Sequence, residues 1–221
     1  HRSLCSNNLS LSTSIIKPQK FFDTLLWTGN ATSRDITGLD FKPDLVWVKN
    51  RDSTYHHGWF DVVRGANKVL KSSATSTNAT FTQQLMSFND GGFSLGDNSD
   101  SGNYVNLNSD DYVAWCWKAG GNKGTWNIDD VPYASAAAAG LDGGDVTPSA
   151  ASIGTKQGFA ILKYDGTASD SCSHGLSQAP ELIIEKALTE TTNWTVQTTV
   201  IDGSIDYLYL NTSDQKADYN V

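Results

Sequence analysis

The chain has 221 residues, of which 38% are hydrophobic and 18% charged, and it carries a net charge of −8. The acidic balance and the lack of a Lys/Arg cluster argue against nucleic acid or an anionic membrane as a partner. No apolar run approaches the roughly 20 residues that span a bilayer, so membrane insertion is not expected. Abundant Ser, Thr, Asn and Gly favour short strands joined by polar turns.

Residues 1–20 are rich in serine, and no signal-peptide pattern follows His1. We interpret them as an N-terminal arm or linker, one that is able to exchange a strand with another chain. We also expect the sequence to be a fragment of a longer protein. The three cysteines, Cys5, Cys116 and Cys172, are too few and too widely spaced for a disulfide framework or a metal site.

The 28 residues 22–49 align without a gap with residues 159–186, at a constant offset of 137. The agreement of apolar runs, glycines and a shared proline at one offset predicts that a domain has been duplicated. The second copy stops before counterparts of the last strands of the first. We therefore expect it to be incomplete and to be completed by further polypeptide, because open sheet edges aggregate. Matched pairs include Phe22 with Phe159, Trp27 with Tyr164, Gly38 with Gly175, Pro43 with Pro180 and Leu45 with Leu182.

The first copy, residues 21–119, alternates short apolar runs with turn signals about every ten residues. This spacing predicts an all-β fold, and we expect a concanavalin-like or jelly-roll β-sandwich that is tandemly repeated. The apolar run around Cys116 predicts that this thiol is a small buried hydrophobe. The predicted strands are residues 24–27, 45–49, 58–63, 68–72, 85–88, 92–95 and 112–118.

Residues 120–157, between the copies, form a predicted connector that is rich in alanine and glycine. Its segment 134–140 fits either a short helical turn that ends at Gly140 or an extended linker. Residues 158–221 are the predicted partial second β-sandwich.

Four long motifs stand out in the sequence: GLDFKPDLVWVKNR (38–51), FDVVRGA (60–66), YVAWCWKAGG (112–121) and the His-Gly-Leu to Pro-Glu-Leu-Ile-Ile segment (174–184). They resemble a tandem domain that is common in structural proteins of marine tailed phages, including cyanophages. The resemblance covers about 200 residues, although the second copy is usually complete in that family. It implies a virion protein, a tail fibre or appendage subunit with lectin-like domains for host-surface attachment or spacing. It brings no catalytic residues and no cofactor.

The implied location is the extracellular virion particle. The implied partners are other virion subunits, with a homo-oligomer expected and a trimer favoured by analogy with fibres, and a host-surface glycan.

Five residues are candidates for contact with such a receptor, namely Tyr55, His56, His57, Trp59 and Trp126, because they lie in or beside polar loops. Aromatic rings there would offer a stacking platform to a sugar. Two adjacent histidines, without Asp or Cys at ligand spacing, do not make a metal site, and a solvated loop is the favoured explanation for them.

The loop that begins at residue 97 resembles the start of a calcium loop, but position twelve would be Asn108 instead of Glu. The sequence therefore predicts no EF-hand site. A looser cation site would draw on Asp97, Asp100, Asp110 and Asp111.

Three functions remain open from the sequence. The first is a fibre or appendage subunit that binds and spaces without catalysis. The second is a capsid decoration or cement protein, which a flat apolar face would favour. The third is a glycan-degrading virion enzyme, which would need two carboxylates roughly 5–10 Å apart in a cleft. Glutamate occurs only at 181, 185 and 190, outside the first copy, so the sequence predicts no catalytic residues.

Overall fold

The structure, a computed structural model, describes residues 17–100, 105–166 and 170–218. These residues form strands, turns and one 3-10 turn at Pro18–Lys20, and they contain no α-helix, which confirms the all-β prediction. Most of the predicted N-terminal arm, residues 1–16, lies outside the described residues. The strands are β1 (Phe22–Thr28), β2 (Arg34–Thr37), β3 (Leu45–Asn50), β4 (Gly58–Asp61), β5 (Lys68–Lys71), β6 (Ala79–Thr80), β7 (Leu85–Asn89), β8 (Gly92–Leu95), β9 (Asp111–Trp117), β10 (Trp126–Ile128), β11 (Val131–Tyr133), β12 (Ala150–Gly154), β13 (Phe159–Lys163), β14 (Leu182–Glu185), β15 (Thr195–Thr198), β16 (Asp206–Tyr209) and β17 (Ala217–Asp218).

Residues 22–117, which we call the first unit, hold two sheets and the larger core. One sheet has the order β1-β9-β3-β4-β5-β6, and the other has the order β2-β8-β7. The core draws side chains from both sheets, so it lies between them. Its fully buried members include Val46, Phe60 and Ala114 from the larger sheet and Phe93 and Leu95 from the smaller one.

Strand β9 is the centre of this unit because it separates β1 from β3 and pairs antiparallel with both. Its residues alternate between buried and half-buried, as expected for a strand with one face on the core. Cys116 is fully buried, and burial raises the pKa of its thiol to about 12, which confirms its prediction as a small hydrophobe.

The predicted connector contains three strands instead of a linker. They join β13 in a sheet of order β11-β10-β12-β13, in which β10 and β12 are parallel. Leu141 and Ile153 are fully buried in a small core beneath this sheet. A Cβ on Gly120 would lie 2.4 Å from the backbone of Ile153, so only glycine allows this close approach. The sheet therefore crosses the predicted boundary at residue 157.

The last sheet is a simple meander of order β14-β15-β16-β17. Together with β13 it makes up the second unit, residues 159–218. The meander contacts the first unit through Trp194, whose indole N–H donates to the Lys71 carbonyl at 2.9 Å. The Trp194 ring lies 5.2 Å from that of Trp59. The two units are therefore packed together through an aromatic contact.

In the first unit, all seven predicted strands are confirmed to within two residues, whereas β2 and the two-residue β6 were not predicted. Both missed strands are short and polar, so their sequences carry little alternation. Among the described residues, no helix reaches the length and apolarity that crossing a bilayer requires.

Candidate functional site

Two loops meet at one end of the larger sheet of the first unit. The loop after β3 and the loop before β9 lie together because Asn50, the last residue of β3, is paired with Tyr112 of β9. The Asp111 N–H donates to Asp52 Oδ2 at 2.5 Å, and the Arg51 N–H donates to the Asp111 carbonyl at 2.7 Å. We call residues 51–57 and 105–111 the tip surface.

Asn50 organises the tip surface from beneath and is itself fully buried. Its Oδ1 accepts from the backbone N–H groups of Asp52 and Ser53, each at 2.9 Å, which closes the turn. Its Nδ2 donates to Asp110 Oδ2 at 2.7 Å and to the Tyr112 hydroxyl at 3.2 Å. One side chain therefore links both loops, and every one of its polar atoms is satisfied.

Lys49 of β3 stabilises the same turn through hydrogen bonds. Its Nζ donates to the carbonyl of Ser53 at 2.7 Å and to that of Asn50. Partial burial lowers the pKa of the Lys49 ammonium. On the floor of the site, burial raises the pKa of Tyr112 to about 12, and its hydroxyl accepts from the Leu107 N–H at 2.9 Å. The tip is thus held by hydrogen bonds to β3 and β9.

The two predicted histidines lie on the tip surface beside β5. His56 Nδ1 lies 3.0 Å from the Ser73 hydroxyl, and the His57 carbonyl accepts from the Ser72 N–H at 3.1 Å. Burial lowers the pKa of each imidazole, and the positive charges of Lys71 near His56 and of Lys49 near His57 lower it further. These shifts favour the neutral form of both imidazoles at pH 7.

The three predicted aromatic contacts have different environments. Tyr55 is 38% exposed on the tip surface. Trp59 is half-buried between Trp47 and Trp194, with ring centroids 5.4 and 5.2 Å away. Trp126 is half-buried over the smaller core, and its indole N–H donates to the Pro148 carbonyl at 2.9 Å. Receptor contact by these residues stays a prediction, and the geometry favours Tyr55.

The four aspartates of the predicted cation site are divided between two places. Asp97 Oδ1 accepts from the Ser99 N–H at 3.0 Å, and Asp100 Oδ2 accepts from the Gln83 N–H at 2.7 Å. Asp110 and Asp111 lie on the tip surface instead. Among the described residues, the one acidic group with atoms within 4.8 Å of one another is elsewhere, at Asp202, Asp206 and Asp218.

These three aspartates already form ion pairs with the side chain of Lys216. Lys216 Nζ lies 2.6 Å from both Asp202 and Asp206 and 3.2 Å from Asp218. Its hydrogen bonds to Asp202 and Asp206 raise the pKa of Lys216, and the hydrogen bond from Lys216 lowers the pKa of Asp202. A metal ion would have to displace Lys216, so we interpret the group as an ion-pair cluster.

A charged cleft of about 500 Å³ lies at the other end of the larger sheet. Asp44 is fully buried at its floor, and its Oδ2 accepts from the backbone N–H groups of Ala119 and Gly121 at 2.7 and 3.0 Å. Burial raises the pKa of the Asp44 carboxyl. Asp130, which also lines the cleft, pairs with Lys118 at 2.8 Å. Asp44 therefore ties β3 to the chain beyond β9.

Sequence reasoning identified Tyr55, His56, Asp110 and Asp111 but missed the residues that hold them, Asn50 and Lys49. The signal for Asn50 was available, because an Asn that ends an apolar strand often closes a turn with its side chain. The contact between the two loops had no sequence signal. It depends on β9 pairing with β3 across more than 60 residues of chain, from Asn50 to Tyr112.

A family model described as "Domain of unknown function (DUF7483)" matches residues 17–221. Neither the curated proteins nor the solved structures contain a significant match to the chain. The comparisons therefore supply a family without an activity, and function has to be argued from the geometry.

Proposed function

The chain belongs to the DUF7483 family, and we propose that it is a structural and attachment subunit of a phage virion, of the tail-fibre or appendage type. Its role would be binding and spacing, without catalysis. The sequence motifs support the phage assignment by resemblance. The tip surface supports attachment, because it presents polar and aromatic groups on a rigid all-β scaffold.

The tip surface is the observation that carries this proposal. Tyr55 is exposed in the loop that also carries Asp52, His56 and His57, and Asp111 of the neighbouring loop donates its backbone N–H to the Asp52 carboxylate. Sugars are bound by such sets, because a ring stacks on their C–H faces while polar groups bond their hydroxyls. Buried Asn50 fixes the loops in advance, which reduces the entropy lost on binding.

The arrangement of strands supports a tandem architecture. The meander β14-β15-β16-β17 repeats the order of β3-β4-β5-β6, and β14 lies at the constant offset from β3. We propose that the chain holds two copies of one sandwich unit of the concanavalin-like or jelly-roll type. The second copy would be closed only in part by the described residues.

Glycan binding tests attachment directly. The full chain is applied to an array of bacterial surface glycans, together with the variants Tyr55→Ala and Tyr164→Ala. Both tyrosines are 38% exposed, but only Tyr55 lies on the tip surface, so Tyr164→Ala is a matched control. We expect at least a tenfold loss for Tyr55→Ala, consistent with one lost aromatic contact, and no loss for the control. Equal behaviour of the two variants would refute a role for the tip surface.

Shell decoration is the second candidate, and exposed apolar side chains of the second unit favour it. Leu182, Val200 and Ile201 are 56%, 68% and 51% exposed. Large exposed apolar groups mark contacts with other proteins when they form a patch. The copy number per purified particle, measured by quantitative mass spectrometry, separates the candidates. A few trimers indicate a fibre or appendage, and hundreds of copies indicate decoration of the shell.

A further inference from the structure

Two strands of the second unit each have an unpaired edge. Within the described residues, β13 is hydrogen-bonded only to β12, and β14 only to β15. Each strand therefore offers a row of backbone N–H and C=O groups without a strand partner. Such edges are templates for another strand unless they are covered.

The first unit shows what occupies the corresponding position. At the offset of 137, β13 corresponds to the start of β1, and β14 corresponds to β3. Strand β9 lies between β1 and β3, and its Trp117 is opposite both Phe22 and Leu45. The counterparts of those two residues, Phe159 and Leu182, have no such strand between them in the described part of the second unit.

The side chains of β14 are more exposed than those of β3, as expected for a strand that lacks a neighbour on one side. Leu45 and Val46 of β3 are 2% and 0% exposed, whereas Leu182 and Ile183 of β14 are 56% and 39% exposed. The apolar pattern of β14 is thus that of a central strand, although its position is that of an edge strand. A sequence of this kind is stabilised only when a neighbour covers it.

The ends of β13 and β14 lie beside each other. Tyr164, which follows β13, donates a hydrogen bond from its hydroxyl to the carboxylate of Glu185 at the end of β14. The counterpart of Tyr164 is Trp27, which in the first unit lies opposite Tyr112 of β9. The Tyr164 and Glu185 side chains therefore bridge the space between β13 and β14. Two strands that flank a third strand are two strand spacings apart, or about 9.6 Å, and this is the width that a strand in that space would require.

We propose that the space between β13 and β14 is an acceptor slot for one extended strand from another polypeptide segment. The strand would pair antiparallel with both edges and carry the pattern of β9, with aromatic or apolar residues at nearly every position and no charge in its middle. This inference rests on the proposed two-copy architecture. The mode of binding is addition of a strand to a sheet, in which backbone bonds give affinity and alternate side chains give specificity.

The test uses the strand that fills the equivalent position. A labelled peptide with the sequence of residues 109–119, which contains β9, is titrated against the full chain by fluorescence polarisation. We expect saturable binding. A peptide with proline in place of Ala114 should bind at least tenfold more weakly, because proline removes a backbone donor and is not tolerated in a central strand.

A matched pair of protein variants locates the binding. Ile183→Lys places a charge on the β14 edge, whereas Val200→Lys places the same charge at another exposed apolar position of the second unit. Ile183→Lys should abolish peptide binding, and Val200→Lys should preserve it. Hydrogen exchange should show new protection in β13 and β14 when peptide is bound.

Three results would overturn the proposal. The first is no binding up to about 1 mM peptide, the range of the weakest specific complexes. The second is protection confined to β1 and β3, which would mean exchange with the chain's own β9. The third is a dimer of the protein that Ile183→Lys dissolves, because the slot would then be occupied by the same edge of a second copy.

The glycan measurement tests the attachment proposal and the peptide measurement tests the acceptor slot, so either proposal can be refuted without the other. Peptide binding that persists in Tyr55→Ala, without any glycan binding by the wild-type chain, would remove the attachment proposal and keep the slot. Glycan binding without peptide binding would remove the slot and keep attachment.

Discussion

The first and second units begin from closely similar sequence and reach different degrees of closure. Asp44 is fully buried before β3, whereas its counterpart Glu181 is exposed before β14. Leu45 is 2% exposed and Leu182 is 56% exposed. The local meander is the same in both, but β9 and the sheet β2-β8-β7 cover only the first. The local sequence pattern is shared by the two units, so it does not explain the difference in burial at Leu45 and Leu182. The burial of Leu45 depends on strands that follow β3 in the chain, above all β9.

The largest effect should come from the buried ion pair of the first unit. Asp61 and Arg64 have side chains that are both 5% exposed and 2.6 Å apart. Asp61→Asn should destabilise the chain by about 3–5 kcal/mol, because it leaves a buried guanidinium without a counter-charge. The comparison variant is Asp218→Asn, which removes an exposed partner of Lys216 in the second unit and should have a much smaller effect. Urea unfolding measures both, and equal losses would contradict the comparison.

The aligned leucines test the difference in closure directly. Leu45→Ala should cost about 2–5 kcal/mol, because it leaves a cavity in a closed sheet. Leu182→Ala should change stability by about 0.5 kcal/mol or less, as is usual for an exposed position. Urea titration followed by tryptophan fluorescence is suitable, since most of the tryptophans lie in the first unit. Similar costs at the two positions would show that β14 is already covered.

A substitution at the junction between the two units should lower the free energy of unfolding by a smaller amount. Trp194→Phe keeps an aromatic ring against Trp59 but removes the N–H that donates to the Lys71 carbonyl. The loss should be about 0.5–1.5 kcal/mol, the net value of one hydrogen bond. Hydrogen exchange should accelerate in β14–β17 and remain unchanged in β3 and β9. Faster exchange throughout the first unit would mean that the two units open as one.

The smallest effect should be the pH dependence of the tip surface. The pKa values of His56 and His57 lie below the ordinary 6.5 in the folded chain. The unfolded chain therefore binds protons first as pH falls, so stability is complete above about 6.5 and decreases as pH falls through the folded pKa values. NMR titration of the imidazole signals of both residues checks this. Folded pKa values above 6.5 would reverse the sign and refute the expectation.

The sequence by itself determined the local elements of this protein. Alternation and turn residues predicted the strands of the first unit and the burial of Cys116. The same reasoning did not find β10–β12, because β10 and β11 have three residues each, too few for an alternating pattern, and β12 consists mostly of small residues. It placed Trp59 beside a loop, where the residue lies, but did not find the ring contacts with Trp47 and Trp194.

Only the tertiary structure decided which strands become neighbours. The tip surface exists because β9 pairs with β3, which brings Asp110 to Asn50 across 60 residues of chain. The open edge of β14 exists because no described strand takes the place that β9 takes in the first unit. Strand formation follows from nearby residues, whereas sheet order depends on pairings between distant segments. Similar apolar runs at a constant offset therefore form similar strands in the two units without the same enclosure.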